Sequence, residues 1–297
     1  MERRKIEVNK ADFPALFHPL LDCGVYDSSC SKAASVWFLD ADDGYYLKRM
    51  EKGALAKEAA MTRFFHEKGL AAEVLVYESL ENDWMLTRRV PGEDCIHGMY
   101  LEDPKRLCDT TAELLRRLHE ESATGCPIHR TEDYLETARR NFETKAYDVT
   151  LFPDNWGYAT PEEAWRVVEE CGKDLQSDVL LHGDYCLPNI MLDGWKFSGF
   201  IDLDAAGLGD RHIDLFWGMW SLGFNLKTDA YRQRFLDAYV REMVNEEMFQ
   251  VVAACEVFGK EKHTARCAFF RLQRKNDRWG DFTTFPAKNM IGYWHRR

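Results

Sequence analysis

The 297-residue sequence lacks several features that would assign its class at once. It has no apolar run of transmembrane length, so we do not expect it to span a membrane. Residues 1–8 do not resemble a signal peptide, and the nine cysteines include no CxxC pair. An odd number of cysteines without such pairs is typical of reduced thiols, so we expect a cytoplasmic protein.

Positive charge is also scarce. The formal net charge is −11. Residues 260–297 contain ten Lys or Arg and three Asp or Glu, a net +7, so the rest of the chain carries −18. Such an acidic chain disfavours nucleic acid as a ligand and favours a cationic small molecule. A hydrophobic content of 45% excludes a disordered protein, because a chain of this length can bury substantial cores.

The segment Leu181–Asp204 is the most informative part of the sequence. Asp184 precedes Asn189 by five residues, which is the spacing of the kinase catalytic loop, and Asp202 follows one hairpin later. Phosphoryl transfer needs positioned oxygens and Mg²⁺, which prefers carboxylate and amide ligands. We therefore expect Asp184 to be the catalytic residue that orients the acceptor hydroxyl and takes its proton. Asn189 and Asp202 are expected to bind Mg²⁺.

The hydrophobic pattern predicts strands around this loop. Val179–Leu181 enters it, Ile190–Leu192 leaves it, and the hairpin signal Asp193-Gly194 precedes a returning strand over Phe197–Leu203. The His-Gly pair before the catalytic aspartate is expected to brace the loop. The alternative is an ordinary loop and hairpin with scattered acids, but spacing, residue types and strand context all agree with a kinase site.

The N-terminal third offers the nucleotide half of such a site. Strands are predicted over Ser35–Leu39 and Tyr45–Arg49, followed by a helix over Ala54–Lys68. Lys48 lies on the second strand, where a kinase lysine grips the α- and β-phosphates, and Glu58 in the helix is placed to pair with it. Either residue alone could equally be a solvated surface side chain, so this prediction depends on the catalytic loop.

A glycine-rich phosphate loop is absent. The segment Asp27–Ala34 before the first of these strands instead contains Ser29 and Ser31, and small hydroxyl residues can hold phosphate through N–H groups and side-chain oxygens. A solvent-exposed turn is the alternative.

Further along, Pro91-Gly92 marks a boundary between two lobes. Pro104–Glu121 has leucines near helical spacing, with Asp103 as its N-cap. This leucine stripe predicts a buried helix face, and we expect His119 to be structural rather than a ligand.

These segments together resemble the aminoglycoside 3'-phosphotransferases, antibiotic-resistance kinases with a protein-kinase-like fold. The resemblance extends over most of residues 20–259 and is carried by His182-Gly183-Asp184, Leu187-Pro188-Asn189, Ser198–Asp202 and Gly209–Asp214. It implies an α+β two-lobe fold, with an antiparallel sheet plus a helix in the small N-terminal lobe and a larger, mainly helical C-terminal lobe. It also implies ATP and two Mg²⁺ ions as cofactors, a Ser-rich nucleotide loop, and an Asp214 that braces the catalytic loop.

The same resemblance places the remaining contacts. Main-chain groups around Arg88 and Val90 would hold adenine at a hinge, so residues 1–90 are expected to form the nucleotide lobe and residues 91–259 the catalytic and substrate lobe. Asp154 and Glu256 match acidic positions that contact the amino groups of the antibiotic. Ordinary solvated acids are the alternative at both positions.

Residues 260–297 depart from the family pattern. The alternatives for this segment are a true extension, an interaction helix or a read-through product.

The predicted activity is transfer of the ATP γ-phosphate to a hydroxyl of an aminoglycoside, and the 3'-hydroxyl is the expected acceptor. The first alternative is a kinase of the same fold that acts on choline, a macrolide or a sugar metabolite. The second is a catalytically silent nucleotide-binding module. The sequence leaves open whether the protein is a monomer or a dimer.

Overall fold

A computed structural model describes residues 3–30, 32–147 and 157–259 of the protein. Its first part is a six-stranded sheet in the order β1-β2-β3-β4-β6-β5, with every neighbouring pair antiparallel. The strands are β1 Arg4–Ile6, β2 Gly24–Asp27, β3 Ser35–Asp40, β4 Tyr45–Glu51, β5 Val74–Ser79 and β6 Asn82–Arg88. Helix α1, Ala56–Glu67, follows β4 and packs against β5.

The register of β3 and β4 decides which face of the sheet carries Lys48. Trp37 pairs with Leu47, and both belong to the apolar core of the sheet, together with Phe17 and Trp84. Because side chains alternate along a strand, the next residue of β4, Lys48, points to the opposite face. The sheet therefore keeps the lysine out of this core.

The rest of the described chain is mainly helical and carries shorter strands. The helices are α2 Gly98–Leu101, α3 Pro104–Glu120, α4 Arg130–Glu143, α5 Pro161–Cys171, α6 Arg211–Leu226, α7 Arg232–Tyr239 and α8 Met248–Val257. The strands are β7 Glu93–Asp94, β8 Val179–Leu181, β9 Ile190–Asp193, β10 Lys196–Phe200 and β11 Gly207–Gly209. They form a three-stranded sheet, β10-β9-β7, and a β11-β8 pair. This α+β arrangement confirms the predicted fold class.

Most predicted elements are confirmed, and the largest difference is at the end of one strand. Helix α3 starts as predicted, with the Asp103 side chain accepting from the N–H of Arg106 at 3.2 Å. The predicted strand over Phe197–Leu203 was wrong beyond Phe200, where β10 ends. Its backbone cannot stay extended, because Asp202 has a left-handed φ of 62°.

The chain divides into two compact units. The first comprises the described residues of Met1–Arg130 and Ser177–Val244, and the second those of Thr131–Gln176 and Asn245–Arg297. The predicted boundaries after residues 90 and 259 stay predictions. Within the described ranges, no helix is both long and apolar enough to cross a membrane.

Candidate active site

Three charged side chains from separate parts of the first unit meet at Lys48. The Nζ of Lys48 donates to Glu58 Oε2 at 2.7 Å and to Asp202 Oδ1 at 3.0 Å. Strand β4 supplies the lysine, helix α1 the glutamate, and the segment after β10 the aspartate. The expected Lys48–Glu58 pair is therefore present, and it is joined to one of the two predicted metal ligands.

Burial and charge oppose each other in this cluster. The Lys48 side chain is 17% exposed and that of Glu58 only 5%. Burial alone would lower the pKa of Lys48, but the carboxylates of Asp202 and Glu58 outweigh it and raise that pKa. Burial raises the pKa of Glu58 to about 7, against the opposing effect of Lys48. Two carboxyl groups share one ammonium group, so a further cation would relieve the surplus of negative charge.

A hydrogen bond inside the catalytic loop joins Asp184 and Asn189. The Nδ2 of Asn189 donates to the main-chain oxygen of Asp184 at 2.9 Å, and each of the two residues is 8% exposed. Since the amide nitrogen is engaged, the amide oxygen is the atom that Asn189 can offer to a metal. The main-chain oxygen of Asn189 accepts from the N–H of Ile201 at 3.1 Å, which ties the loop to the residue before Asp202.

Asp214 braces the loop from the first turn of α6. Its Oδ2 accepts from the N–H of His182 and its Oδ1 from the N–H of Gly183, both at 2.7 Å. Gly183 has a φ of 77°, and a Cβ there would lie 1.9 Å from the main-chain oxygen of Ala205. Only glycine therefore allows this turn of the backbone. The bracing carboxylate expected from the resemblance is in place.

The imidazole of His182 links the catalytic loop to the Asp202 segment. Its Nδ1 lies 3.3 Å from the N–H of Asp184, and its Nε2 lies 3.1 Å from the main-chain oxygen of Ile201. Nδ1 must accept and Nε2 must donate, so a neutral ring with its proton on Nε2 makes both bonds. The backbone-bracing role expected for this residue agrees with these contacts.

The donor set fits a magnesium ion. Asp202 is half-exposed at its side chain and has one oxygen on Lys48, so its second oxygen is the candidate ligand. Among the residues that the structure describes, no group of three or more His, Cys, Asp or Glu could hold a metal ion. The predicted ligand set, one amide and one carboxylate oxygen, is of a type that suits Mg²⁺, an ion usually held by few protein ligands plus phosphates and water.

Two of the other predicted nucleotide residues, Ser29 and Arg88, have structural partners. The Ser29 hydroxyl accepts from a main-chain N–H across the turn between β2 and β3, at 2.9 Å. The Nε of Arg88 donates to Glu73 Oε2 at 2.9 Å, and Val90 is buried. Ser31 lies outside the described residues. Nucleotide binding by these residues stays a prediction.

The two predicted substrate contacts belong to the second unit or to undescribed sequence. Glu256 lies on α8, where its Oε1 accepts from the hydroxyl of Tyr134 at 2.9 Å. Asp154 lies outside the described residues. Their contact with a substrate stays a prediction.

Sequence reasoning missed Asp83, which supports the start of the helix that carries Glu58. This fully buried carboxylate accepts from the N–H of Leu55, just before α1, at 2.9 Å and from the hydroxyl of Tyr77 at 3.1 Å. Burial would raise its pKa, but hydrogen bonds, among them these two, hold the pKa below its ordinary value. Asp83 thus fixes the start of the helix that carries Glu58. Its one signal in the sequence is an acid at the start of an apolar strand.

A strand lysine paired with a helix glutamate, together with an Asp and an Asn on a braced loop, defines a protein-kinase-like phosphotransferase. The comparison with known families agrees. The sequence model of the phosphotransferase enzyme family, APH, matches residues 31–249, and the chain belongs to that family.

Individual relatives extend this result. The chain is 47% identical to a probable aminoglycoside 3'-phosphotransferase of Lactococcus lactis, over 86% of this chain and 98% of the relative. The structure of aminoglycoside phosphotransferase APH(3'')-Id from Streptomyces rimosus matches with a TM-score of 0.70 at 21% identity, over 84% of this chain and 98% of that one. A structure of the same enzyme with ADP and streptomycin matches with a TM-score of 0.66 at 19% identity, over 84% and 96%. The protein-kinase-like fold is confirmed.

Proposed function

We propose that this protein transfers the γ-phosphate of ATP to a hydroxyl of an aminoglycoside, and that the 3'-hydroxyl is the acceptor. The observation that carries the reaction type is Lys48 bonded to both Glu58 and Asp202 in a member of the phosphotransferase family. The acceptor is supported by 47% identity across 98% of a relative named for aminoglycoside 3'-phosphorylation.

Each side chain then has a role in the transfer. Lys48 contacts the α- and β-phosphates, and Glu58 holds the lysine in place. Asp184 orients the acceptor hydroxyl and takes its proton as the new oxygen–phosphorus bond forms and the bond to ADP breaks. Asn189 and Asp202 hold Mg²⁺, which when bound neutralises charge on the phosphate oxygens.

The charge of the chain suits an aminoglycoside. The net charge of −18 outside residues 260–297 attracts a polycationic acceptor. Protonated amines form charge-assisted hydrogen bonds with carboxylates, the role that we propose for Asp154 and Glu256. The cytoplasmic location and the oligomeric state stay predictions.

An acceptor panel tests the proposal. ADP release and product mass would be measured with kanamycin, 3'-deoxykanamycin, streptomycin and choline. We expect one phosphate to be added to kanamycin and no turnover of its 3'-deoxy form. Turnover of streptomycin alone would reject the 3'-hydroxyl but keep the class of antibiotic. Turnover of choline alone would reject the aminoglycoside, and ATP binding without any turnover would favour the silent module.

A further inference from the structure

A chain of buried hydrogen bonds runs away from the back of the catalytic loop, within the first unit. Asp214 Oδ2, which receives the N–H of His182, also lies 3.3 Å from the Nε2 of His119. The Nδ1 of His119 lies 2.8 Å from the hydroxyl of Tyr239, which in turn lies 3.4 Å from an Nη of Arg211. Three helices therefore meet behind the loop, with α3, α6 and α7 each contributing to the chain.

For a neutral imidazole at His119, the chemistry of the groups fixes the direction of every bond. Arg211 can only donate, so the Tyr239 oxygen accepts from it and the phenol proton goes to His119 Nδ1. His119 then carries its own proton on Nε2 and donates it to the Asp214 carboxylate. Burial raises the pKa of Tyr239 to about 12, against the opposing effect of Arg211, so the phenol keeps the proton that it donates.

This chain of hydrogen bonds is buried at its Asp214 end and reaches the protein surface at its other end. The side chain of His119 is 2% exposed and that of Asp214 is fully buried. At the outer end, Arg211 donates to Asp178 Oδ2 at 2.9 Å, and the Asp178 side chain is 48% exposed. A buried polar group that loses its hydrogen-bond partner keeps its desolvation penalty. Removal of one member of this chain of hydrogen bonds should therefore weaken the bonds between the others.

We propose that Tyr239 and His119 are positioning residues for phosphoryl transfer. By donating to Asp214, His119 holds the carboxylate in the rotamer in which one oxygen takes the His182 N–H and the other the Gly183 N–H. That contact sets the backbone from which the Asp184 carboxylate projects. The inference rests on the proposed function, because it takes Asp184 as the group that faces the acceptor hydroxyl.

The first test is Tyr239→Phe, which removes one oxygen atom and keeps the ring. With the acceptor that the wild type phosphorylates, we expect kcat to fall about tenfold while the KM values for ATP and for the acceptor stay within about twofold. If the wild type phosphorylates no acceptor, we expect the same loss in its rate of ATP hydrolysis. The matched control is Tyr158→Phe, which removes a buried hydroxyl that donates to the main-chain oxygen of Gln250 at 2.7 Å in the second unit. Tyr158→Phe should lose about as much stability as Tyr239→Phe does, and it should keep the kcat of the wild type.

Rescue by a conservative change separates the hydrogen bonds from mere packing, and it also serves if Tyr239→Phe folds poorly. The amide of His119→Gln can accept from Tyr239 and donate to Asp214, whereas His119→Leu can do neither. We expect His119→Gln to keep a clearly higher kcat than His119→Leu at equal occupancy of the folded state. Equal rates for the two variants would overturn the proposal.

The Asp184→Asn background decides whether the effect acts through the catalytic loop. If Tyr239 works by positioning Asp184, Tyr239→Phe should cause no further loss of the residual rate there, and a further loss of about tenfold would overturn the proposal. Failure of the proposed function is distinct, because Asp184→Asn would then leave kcat unchanged. If Asp184→Asn lowers kcat but Tyr239→Phe does not, only the positioning role is rejected.

Discussion

At the residue scale, the Lys48 ammonium group contacts both Glu58 and Asp202, so the stability lost when it is removed should depend on pH. The folded pKa of Glu58, about 7, lies above its ordinary value of 4.5. The stability tied to this shift is complete below pH 4.5 and is lost as the pH rises through about 7. Without Lys48 the pKa of Glu58 rises further. Above about pH 7 the variant should therefore lose more stability with rising pH than the wild type does.

We therefore expect Lys48→Met to lower the unfolding free energy of the metal-free protein more at about pH 8 than at about pH 5.5, by at most roughly 1.4 kcal/mol, because pH 8 lies about one unit above the wild-type pKa of Glu58. Urea unfolding at the two pH values measures this difference. Lys52→Met, at an exposed position, is the control and should show no such trend. A Lys48→Met deficit that is the same at both pH values would contradict the charge balance described for the cluster.

The loop glycine gives a second prediction at this scale. Gly183 and Gly69 both have positive φ, but a Cβ at Gly69 would meet nothing within 4 Å, whereas one at Gly183 would overlap the main chain of Ala205. Gly69→Ala should cost only the strain of a left-handed residue, about 1–2 kcal/mol. Gly183→Ala should cost more and abolish transfer, since the loop backbone must move. Thermal unfolding and kcat measure both effects, and equal costs would contradict the predicted overlap.

At the element scale, helix α1 depends on Asp83. The folded pKa of Asp83 lies below 3.8. The stability that this carboxylate contributes is therefore present above that pH and is lost as the pH falls through the folded pKa. We expect Asp83→Asn to destabilise the protein by about 1–3 kcal/mol at neutral pH, with the gap to wild type closing in acid. Asp43→Asn, in an exposed turn, is the control for unfolding experiments. A gap that widens in acid would reject this role.

The same elements show where sequence reasoning reaches and where it stops. Local signals predicted β3, β4 and α3 to within a residue or two, because alternation, turn residues and an N-cap act over short distances. The end of β10 was missed because it depends on the left-handed backbone of Asp202. Asp83 was missed because its partner Leu55 is 28 residues away, and no local pattern announces that contact.

At the scale of the whole molecule, the acidic charge of the chain should show in the kinetics of a cationic acceptor. Raising the salt concentration from about 0.05 M to about 0.5 M should raise KM for kanamycin several-fold and change kcat little, because screening weakens long-range attraction. A neutral acceptor alcohol, if one is turned over, is the control. A KM for kanamycin that is indifferent to salt would contradict electrostatic attraction of the substrate.

The reaction class could be predicted from the sequence because the spacing of Asp184, Asn189 and Asp202 is set by the chemistry of phosphoryl transfer. The division into two units could not, since each unit combines two stretches of the chain that lie far apart in sequence. Substrate contacts are least predictable, because a single acid such as Glu256 has the same local pattern whether it binds an amine or accepts from Tyr134.

The most direct measurement of the central claim is kcat of Asp184→Asn at saturating ATP, with the acceptor that the wild type phosphorylates. A carboxylate that takes the hydroxyl proton contributes about 10²–10⁴-fold, so we expect a loss of that size with ATP affinity nearly unchanged. A variant rate within about twofold of wild type would contradict the assignment of Asp184 as the catalytic residue.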